Sequence, residues 1–505
     1  MTRFLKTPPE PRPGSYIKYT PKPCVLNRHT FPHLDSKFNN YAVYTHNGCS
    51  CNQYLALRFR HQVKSPVCAD LDPGLVKLFH TMDPKINLNH TKLTPWTKTD
   101  VVRSYAGKWR QKYARAHEQV KISPVTHKHS YVTLFVKDDK EMRPCTKPPR
   151  AIQYRHPCFM LEMGKYTKAV EKWFYSLKDE YGTKIVGKLS GPEVAAELKK
   201  KSDSFANPVY LCLDASNFDT CVDEKWLKHC MNLYLECFDK VYHRRIKWLW
   251  AKTLTNTGFT KNGTIKYKTK GTRMSGDMDT GLGNSIIMYT MLTSYLKQHN
   301  VKGSIMVNGD DSVVVIEARH LQKCKDLSIF KSFGFNMKFD VKYEFEDVEF
   351  CQCKPVNTYY GWTMARRPDR IIGRTGVRTR YVAKTKIKSF VSTLGMCERA
   401  SGWGVPIISE MATKMINLGG KISPSQLNPY MVTQYKYLKY PPIVSMEARL
   451  SYERAWGVSV QDQLRLESDS SFKEFVRLTT RMKDAFFMLT ELQIPNTSTN
   501  GVLVG

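Results

Sequence analysis

The chain has 505 residues, room for several lobes, and its 41% hydrophobic content supplies a substantial core. Lysine and arginine number 78 against 45 acids, a formal charge of +33 that far exceeds what solubility needs. The excess is spread along the chain and mixed with 12% aromatic residues, which excludes a confined basic tail and favours a nucleic-acid channel.

The 14 cysteines follow no regular framework and read as reduced thiols of a cytosolic protein. Cys49 and Cys51, like Cys351 and Cys353, enclose one residue, where structural zinc ligands usually enclose two to four, which argues against zinc. No apolar run reaches the ~18 residues of a membrane span. The start, Met1 to Lys6, is too short and basic for a secretory signal, so membrane attachment would have to come from a partner.

In chain order, the proline-rich stretch to about residue 40 predicts an extended segment lying over another lobe. Val101, Val102, Tyr105, Trp109 and Tyr113 predict one amphipathic basic helix. Val209 to Leu213 read as a buried strand with Asp214 at its carboxyl end, and Trp226, Leu227, Cys230, Leu233, Tyr234 and Cys237 as the face of the helix after it. A small, polar loop from Gly271 to Thr280 precedes a second helix marked by Leu282, Ile286, Tyr289, Leu292 and Leu296. Ile305 to Val307 and Val313 to Ile316 flank Asn308-Gly309-Asp310-Asp311-Ser312, the chemistry of a hairpin turn. Phe333 to Asp340 predict a strand with Lys338 on its polar face. Arg378, Arg380, Lys384, Lys386 and Lys388 fall at alternate positions, which in an extended chain would form a phosphate track or a solvated face. Trp403, Tyr430, Tyr435 and Tyr437 fit a core or base stacking, and Pro495 to Gly505 read as a loose tail.

Gly309-Asp310-Asp311 alone signifies little. Its order after Asp214-x4-Asp219 and Ser275-Gly276-x3-Thr280-x3-Asn284 is what carries weight. Carboxylates from separate strands repel one another unless cations neutralise them, and Mg²⁺ suits a few carboxylates plus substrate phosphates. The set predicts a two-metal site, Mg²⁺ or Mn²⁺, with Asp214 and Asp310 as direct ligands and Asp311 as an auxiliary one. Triphosphate binding calls for convergent cations, and Lys147 and Arg150 are the first candidates, with Lys137, Lys140, Arg143 and Arg155 in reserve. Asp219, Ser275 and Asn284 are the candidates for reading the ribose 2′-hydroxyl.

These segments resemble motifs A, B and C of viral RNA-dependent RNA polymerases, and Lys147 to Arg155 is similar to their motif F. A resemblance of Phe333 to Asp340 to their motif D implies Lys338 as the candidate general acid for the departing pyrophosphate. Leu161 to Tyr166, Tyr105 to Lys108 and Phe350 to Val356 resemble the tombusvirus and tombus-like replicases of positive-strand RNA viruses, over about residues 101–362. The resemblance implies an α+β right-hand polymerase with an antiparallel-sheet palm and a mainly helical thumb. It divides the chain into an N-terminal extension bridging fingers and thumb (1–90), fingers (91–206), palm motif A (207–240), a fingers insertion (241–270), palm motifs B to E (271–358) and thumb with tail (359–505). It implies Gly276 and Thr280 beside the substrate, initiation without a protein primer, and RNA template, nascent RNA and nucleoside triphosphates as partners. Viral or host replication proteins would supply attachment to membrane-associated replication complexes in the host cytoplasm. A reverse transcriptase shares such a palm but usually carries a Tyr-x-Asp-Asp hairpin, and Asp219 with Asn308-Gly309 argues against it. A genome-coating RNA-binding protein explains the charge but does not require the motifs.

Overall fold

An unbroken run of apolar side chains suits a strand buried on both faces, and the Val209–Leu213 run occupies such a strand. In the computed structural model, which describes residues 8–24, 28–32, 34–35, 43–83, 85–142, 147–422, 440–468 and 477–478, the strand Pro208–Ala215 lies inside a four-stranded antiparallel sheet. The strand Asp311–Glu317 pairs with one of its edges and Met337–Lys342 with the other, while Gly303–Asn308 completes the hairpin. One face, with Val209, Leu211, Leu213 and Val314, packs into the main core built by the helices Pro157–Phe174, Glu224–Cys237, Lys240–Leu254 and Thr280–Gln298. The other face, with Tyr210, Val313 and Val315, meets Val194 and Leu198 of the helix Gly191–Asp203. Asp223 caps the helix after it by accepting from the backbone N–H groups of Lys225 and Trp226 at 2.9 and 3.1 Å.

A second, five-stranded sheet runs in the order Tyr16–Tyr19, Ile265–Lys270, Thr255–Thr260, Val132–Val136, Ala151–Arg155. The proline-rich N-terminus is extended, as its composition predicts, and supplies one edge of this sheet. Further along, Phe31–Pro32 pairs with Val377–Arg378, Leu34–Asp35 with Arg477–Leu478, and Val43–Tyr44 with Glu141–Met142. The same segment therefore joins the five-stranded sheet to the C-terminal part of the chain. That part has its own core, in which Val356 of the hairpin Cys353–Arg366 packs with Val391, Ile408, Met411 and Tyr452 of three helices.

Three expectations need correction. The basic helix is two helices, Lys98–Arg103 and Gly107–Ile122, broken where Gly107 takes a φ of 54°. The alternate cations after Arg374 do not form an extended row: Lys384–Lys386 is a 3₁₀ turn, Lys388 lies in the helix Ile387–Ser401, and Arg378 is buried over the Phe31 ring. The strand predicted from Phe333 begins at Met337, because Phe333 ends a short helix and Gly334 turns at a φ of 86°. Of the two readings open for Trp403, the core one holds: it packs against Tyr360, ring centroids 5.6 Å apart. Arg143, Tyr430, Tyr435, Tyr437 and the tail from Pro495 lie outside the described residues. Among the described residues, no helix is long and apolar enough to cross a membrane.

Candidate active site

Residues directly opposite in antiparallel strands project from the same face of a sheet. The register sets Asp311 opposite Asp214 on one side and Lys338 opposite Asp214 on the other, so the three form a row across the sheet. Asp310 occupies the second central position of the two-residue turn, and Gly309, with a φ of 67°, occupies the first, the pattern of a type II′ hairpin. The Gly309 N–H donates to Ser285 Oγ at 2.8 Å, and the Ser285 hydroxyl donates to the Gly281 carbonyl at 2.8 Å. The acidic turn is thus pinned to the helix Thr280–Gln298.

The carboxylates feel one another. Burial, then Asp310 and Asp214, pushes the Asp311 carboxyl up to about 6. Burial, then Asp310, also raises Asp214, against the pull of Lys338 and Lys147. A hard oxygen donor set held together by backbone register against its own repulsion fits divalent cations, and Asp214, Asp310 and Asp311 are the residues that could hold them.

Asp310 lines a cleft of about 420 Å³ together with Lys147, Arg150, Asp219 and Ser275. Lys147 and Arg150 are exposed there, the guanidinium 3.8 Å from Asp139. Asn284, buried, donates its amide to Asp219 Oδ1 at 2.7 Å and accepts from Arg273 Nε at 3.2 Å. Burial, with Asp310 adding to it, raises the Asp219 carboxyl to about 6, although Asn284, Arg273 and Arg150 favour its charged form. Ser275 is engaged elsewhere than expected: its hydroxyl donates to the Ala151 carbonyl at 3.1 Å and accepts from the Gln153 N–H at 3.3 Å. Gly276 N–H donates to the Gln153 carbonyl at 2.8 Å, and a Cβ on Gly276 would sit 2.5 Å from that oxygen. Only glycine lets this loop lie so close to the Ala151–Arg155 strand. Thr280 Oγ1 donates to the carbonyls of Met274 and Asp277, which closes the loop onto its helix.

Other candidates part company with the cleft. Arg155 cannot serve the triphosphate: it is 1% exposed and bound to both carboxylate oxygens of Asp277, at 2.7 and 3.0 Å, and to Asn256 and the Ser130 carbonyl. Its motif position placed it among the cations, but the inward alternation of its strand buries it. Lys137 pairs with Asp139 at 3.2 Å; Lys140 is the exception, lining the cleft while its ammonium donates to the carbonyls of Arg374 and Val377, both at 2.7 Å. Lys338 stands beside Asp214 on the sheet and does not line the cleft.

Sequence reasoning missed Arg273, which organises the loop. It is buried, pairs with Asp279 at 3.3 Å, bonds Asn284, and gives its backbone N–H to the Asp219 carbonyl at 2.9 Å. The signal was an arginine two residues before Ser275 in an otherwise small, polar loop. Arg60 and His61 were missed as well. They line the cleft from a turn remote in sequence, Arg60 Nε donating to the Pro148 carbonyl at 2.8 Å and His61 Nδ1 lying 3.0 Å from Gln153 Nε2.

A family model described as viral RNA dependent RNA polymerase matches residues 19–476, well beyond the 101–362 span of the motif resemblance. The chain is 31% identical over 399 residues to the RNA-directed RNA polymerase of Groundnut rosette virus (strain MC1), covering 75% of this chain and 46% of that protein. It is 31% identical over 413 residues to that of Tobacco necrosis virus (strain A), 77% and 56% covered, and 34% over 271 residues to that of Cymbidium ringspot virus, 52% and 33% covered. The chain therefore spans about half the length of the first two of these relatives. With that family model matched over most of its length, the chain belongs to the viral RNA dependent RNA polymerase family.

Proposed function

We propose that this chain is an RNA-directed RNA polymerase that copies a positive-strand RNA genome from nucleoside triphosphates. The observation that carries the reading is the row Asp311, Asp214, Lys338 with Asp310 at the turn, set against a cleft bearing Lys147 and Arg150. The nascent strand's 3′-hydroxyl attacks the α-phosphate and pyrophosphate leaves. Two divalent cations, Mg²⁺ or Mn²⁺, held by Asp214 and Asp310 with Asp311 auxiliary, would supply activation of the hydroxyl and stabilisation of the leaving group. Lys147 and Arg150 neutralise and orient the triphosphate, a role for which the planar guanidinium fork is suited. Asp219, held by Asn284 and Arg273, faces the cleft to read the 2′-hydroxyl, and Ser275 acts by fixing the loop to the Ala151–Arg155 strand. Lys338, opposite Asp214 on the sheet, gives a proton to the departing pyrophosphate in this reading.

In this reading the four-stranded sheet is the palm, the five-stranded sheet with residues 241–270 belongs to the fingers, the helices after residue 359 form the thumb, and the N-terminal segment ties fingers to thumb. RNA template and product are the macromolecular ligands. Viral or host replication proteins supply attachment at cytoplasmic membranes. The test is incorporation of labelled nucleotide on a synthetic RNA with Mg²⁺ or Mn²⁺, ribo- and deoxyribonucleotides in parallel. Template-dependent incorporation of ribonucleotides supports the reading; preference for deoxyribonucleotides, or incorporation that ignores the template sequence, overturns it.

A further inference from the structure

The N-terminal segment gathers three cysteines that the active site does not use. Cys24 lies in the extended stretch after the edge strand, and Cys49 and Cys51 flank the start of the helix Ser50–Ala56. Their sulfur atoms all lie within 4.8 Å of one another. Cys24 Sγ is 2.7 Å and Cys49 Sγ 2.8 Å from Cys51 Sγ.

We propose that Cys24, Cys49 and Cys51 bind a thiophilic divalent cation, zinc, as a clip that fastens the extended stretch after the edge strand to the helix Ser50–Ala56. Three sulfurs crowded about one point are what a tetrahedral thiolate site supplies. A Zn–S bond of ~2.3 Å sets sulfur atoms ~3.8 Å apart, so binding needs the two short contacts to open by about an ångström, within reach of side-chain rotation. A disulfide would join two of the sulfurs and leave the third pressed against the bond. Among the described residues three ligands converge, and Cys24 is exposed, so water could complete the tetrahedron. The one-residue spacing of Cys49 and Cys51, which by itself argues against zinc, is compensated by a third ligand distant in sequence.

The place of the clip gives it a use. The helix Ser50–Ala56 runs directly into the turn Leu57–His61, whose Arg60 and His61 reach the cleft, and the Arg60 carbonyl accepts from Thr220 Oγ1. Arg28, four residues after Cys24, donates to the carbonyls of His46, at 2.9 Å, and Lys137, at 3.1 Å. The clip thus anchors the element that carries Arg60 and His61, without touching the cleft. It is chemically separate from the carboxylate site, since soft thiolates select zinc and hard carboxylates select Mg²⁺ or Mn²⁺. Its test is therefore independent of polymerase activity.

The full chain, purified with reductant and without added metal, is analysed for bound elements by mass spectrometry, beside Cys24→Ser and Cys51→Ser. About one zinc per chain is expected in the parent and a loss of most of it in each variant. Cobalt substitution of the parent should give the sulfur-to-cobalt charge-transfer band of a tetrahedral thiolate site, weakened in Cys24→Ser, whose exposed position spares the fold. Zinc that stays in both variants, an absent cobalt band, or a Cys24–Cys51 or Cys49–Cys51 disulfide found in the reduced-handled protein overturns the proposal.

Discussion

Asp219 and Asn284 act as one unit, because the amide that could meet a ribose is already given to the carboxylate. Losing that amide frees Asp219 to turn or to protonate, and the sugar loses its reader. Asn284→Ala is expected to lower efficiency with ribonucleotides far more than with 2′-deoxyribonucleotides, within the ~10⁴–10⁵ that a site built for a hydroxyl can command. Equal losses with both would make Asn284 a scaffold residue. The raised Asp311 carboxyl gives a second expectation. Its folded value of about 6 exceeds the ordinary 3.8, so the folded protein holds the proton more tightly than the unfolded chain. Without divalent cations the contribution of Asp311 to stability must fall as pH rises from about 3.8 to about 6, and the loss is complete above that window. Asp311→Asn lacks this titration. In chelator the variant should melt like the parent near pH 4 and above it near pH 7, by on the order of 2 kcal/mol. A gap that does not widen with pH contradicts the burial and neighbouring charge that raise this carboxyl.

The elements that position the site were legible where burial leaves a periodic trace. The strand ending at Asp214 and the helices after Asp223 and Asp279 follow from apolar spacing, and the acidic hairpin from its turn residues. The break before Gly107 and the 3₁₀ turn at Lys384–Lys386 were not legible, because a helical or alternating pattern in side chains does not show where the backbone turns. Arg155 was misread for a related reason: a cation in a basic motif gives no sign that its partner, Asp277, stands 122 residues later in sequence. That buried pair has a measurable consequence. Asp277→Ala strands a buried guanidinium and should cost about 3–5 kcal/mol, whereas Arg155→Met with Asp277→Leu should recover most of it. A single variant as stable as the parent, in urea unfolding, would contradict the pairing. Gly276→Ala tests the loop. Its methyl would crowd the Gln153 carbonyl, so KM for the nucleotide should rise about tenfold or more with the fold retained. An unchanged KM means that the loop tolerates displacement.

At the scale of the molecule, the charge of +33 and the extended N-terminal segment describe one design, a basic chain whose parts are tied together around a cleft. The charge was legible from composition. The tying was expected from the proline-rich composition and the resemblance, but its partners were not, since pairing between residues 31 and 378 leaves no mark in either segment alone. Phosphate contact should dominate RNA affinity, so unrelated RNAs of equal length should lose affinity together, with log affinity falling linearly in log salt. A flat response would assign the charge to something other than RNA. The central claim is that chemistry resides at the acidic turn, and one comparison tests it most directly. Asp310→Asn keeps the shape of the side chain and removes a carboxylate, and its RNA affinity and single-turnover ribonucleotide incorporation are measured in the same preparation beside the parent. RNA affinity within about twofold of the parent, with incorporation lost by several orders of magnitude, is the result predicted here. Incorporation near the parental rate would contradict it.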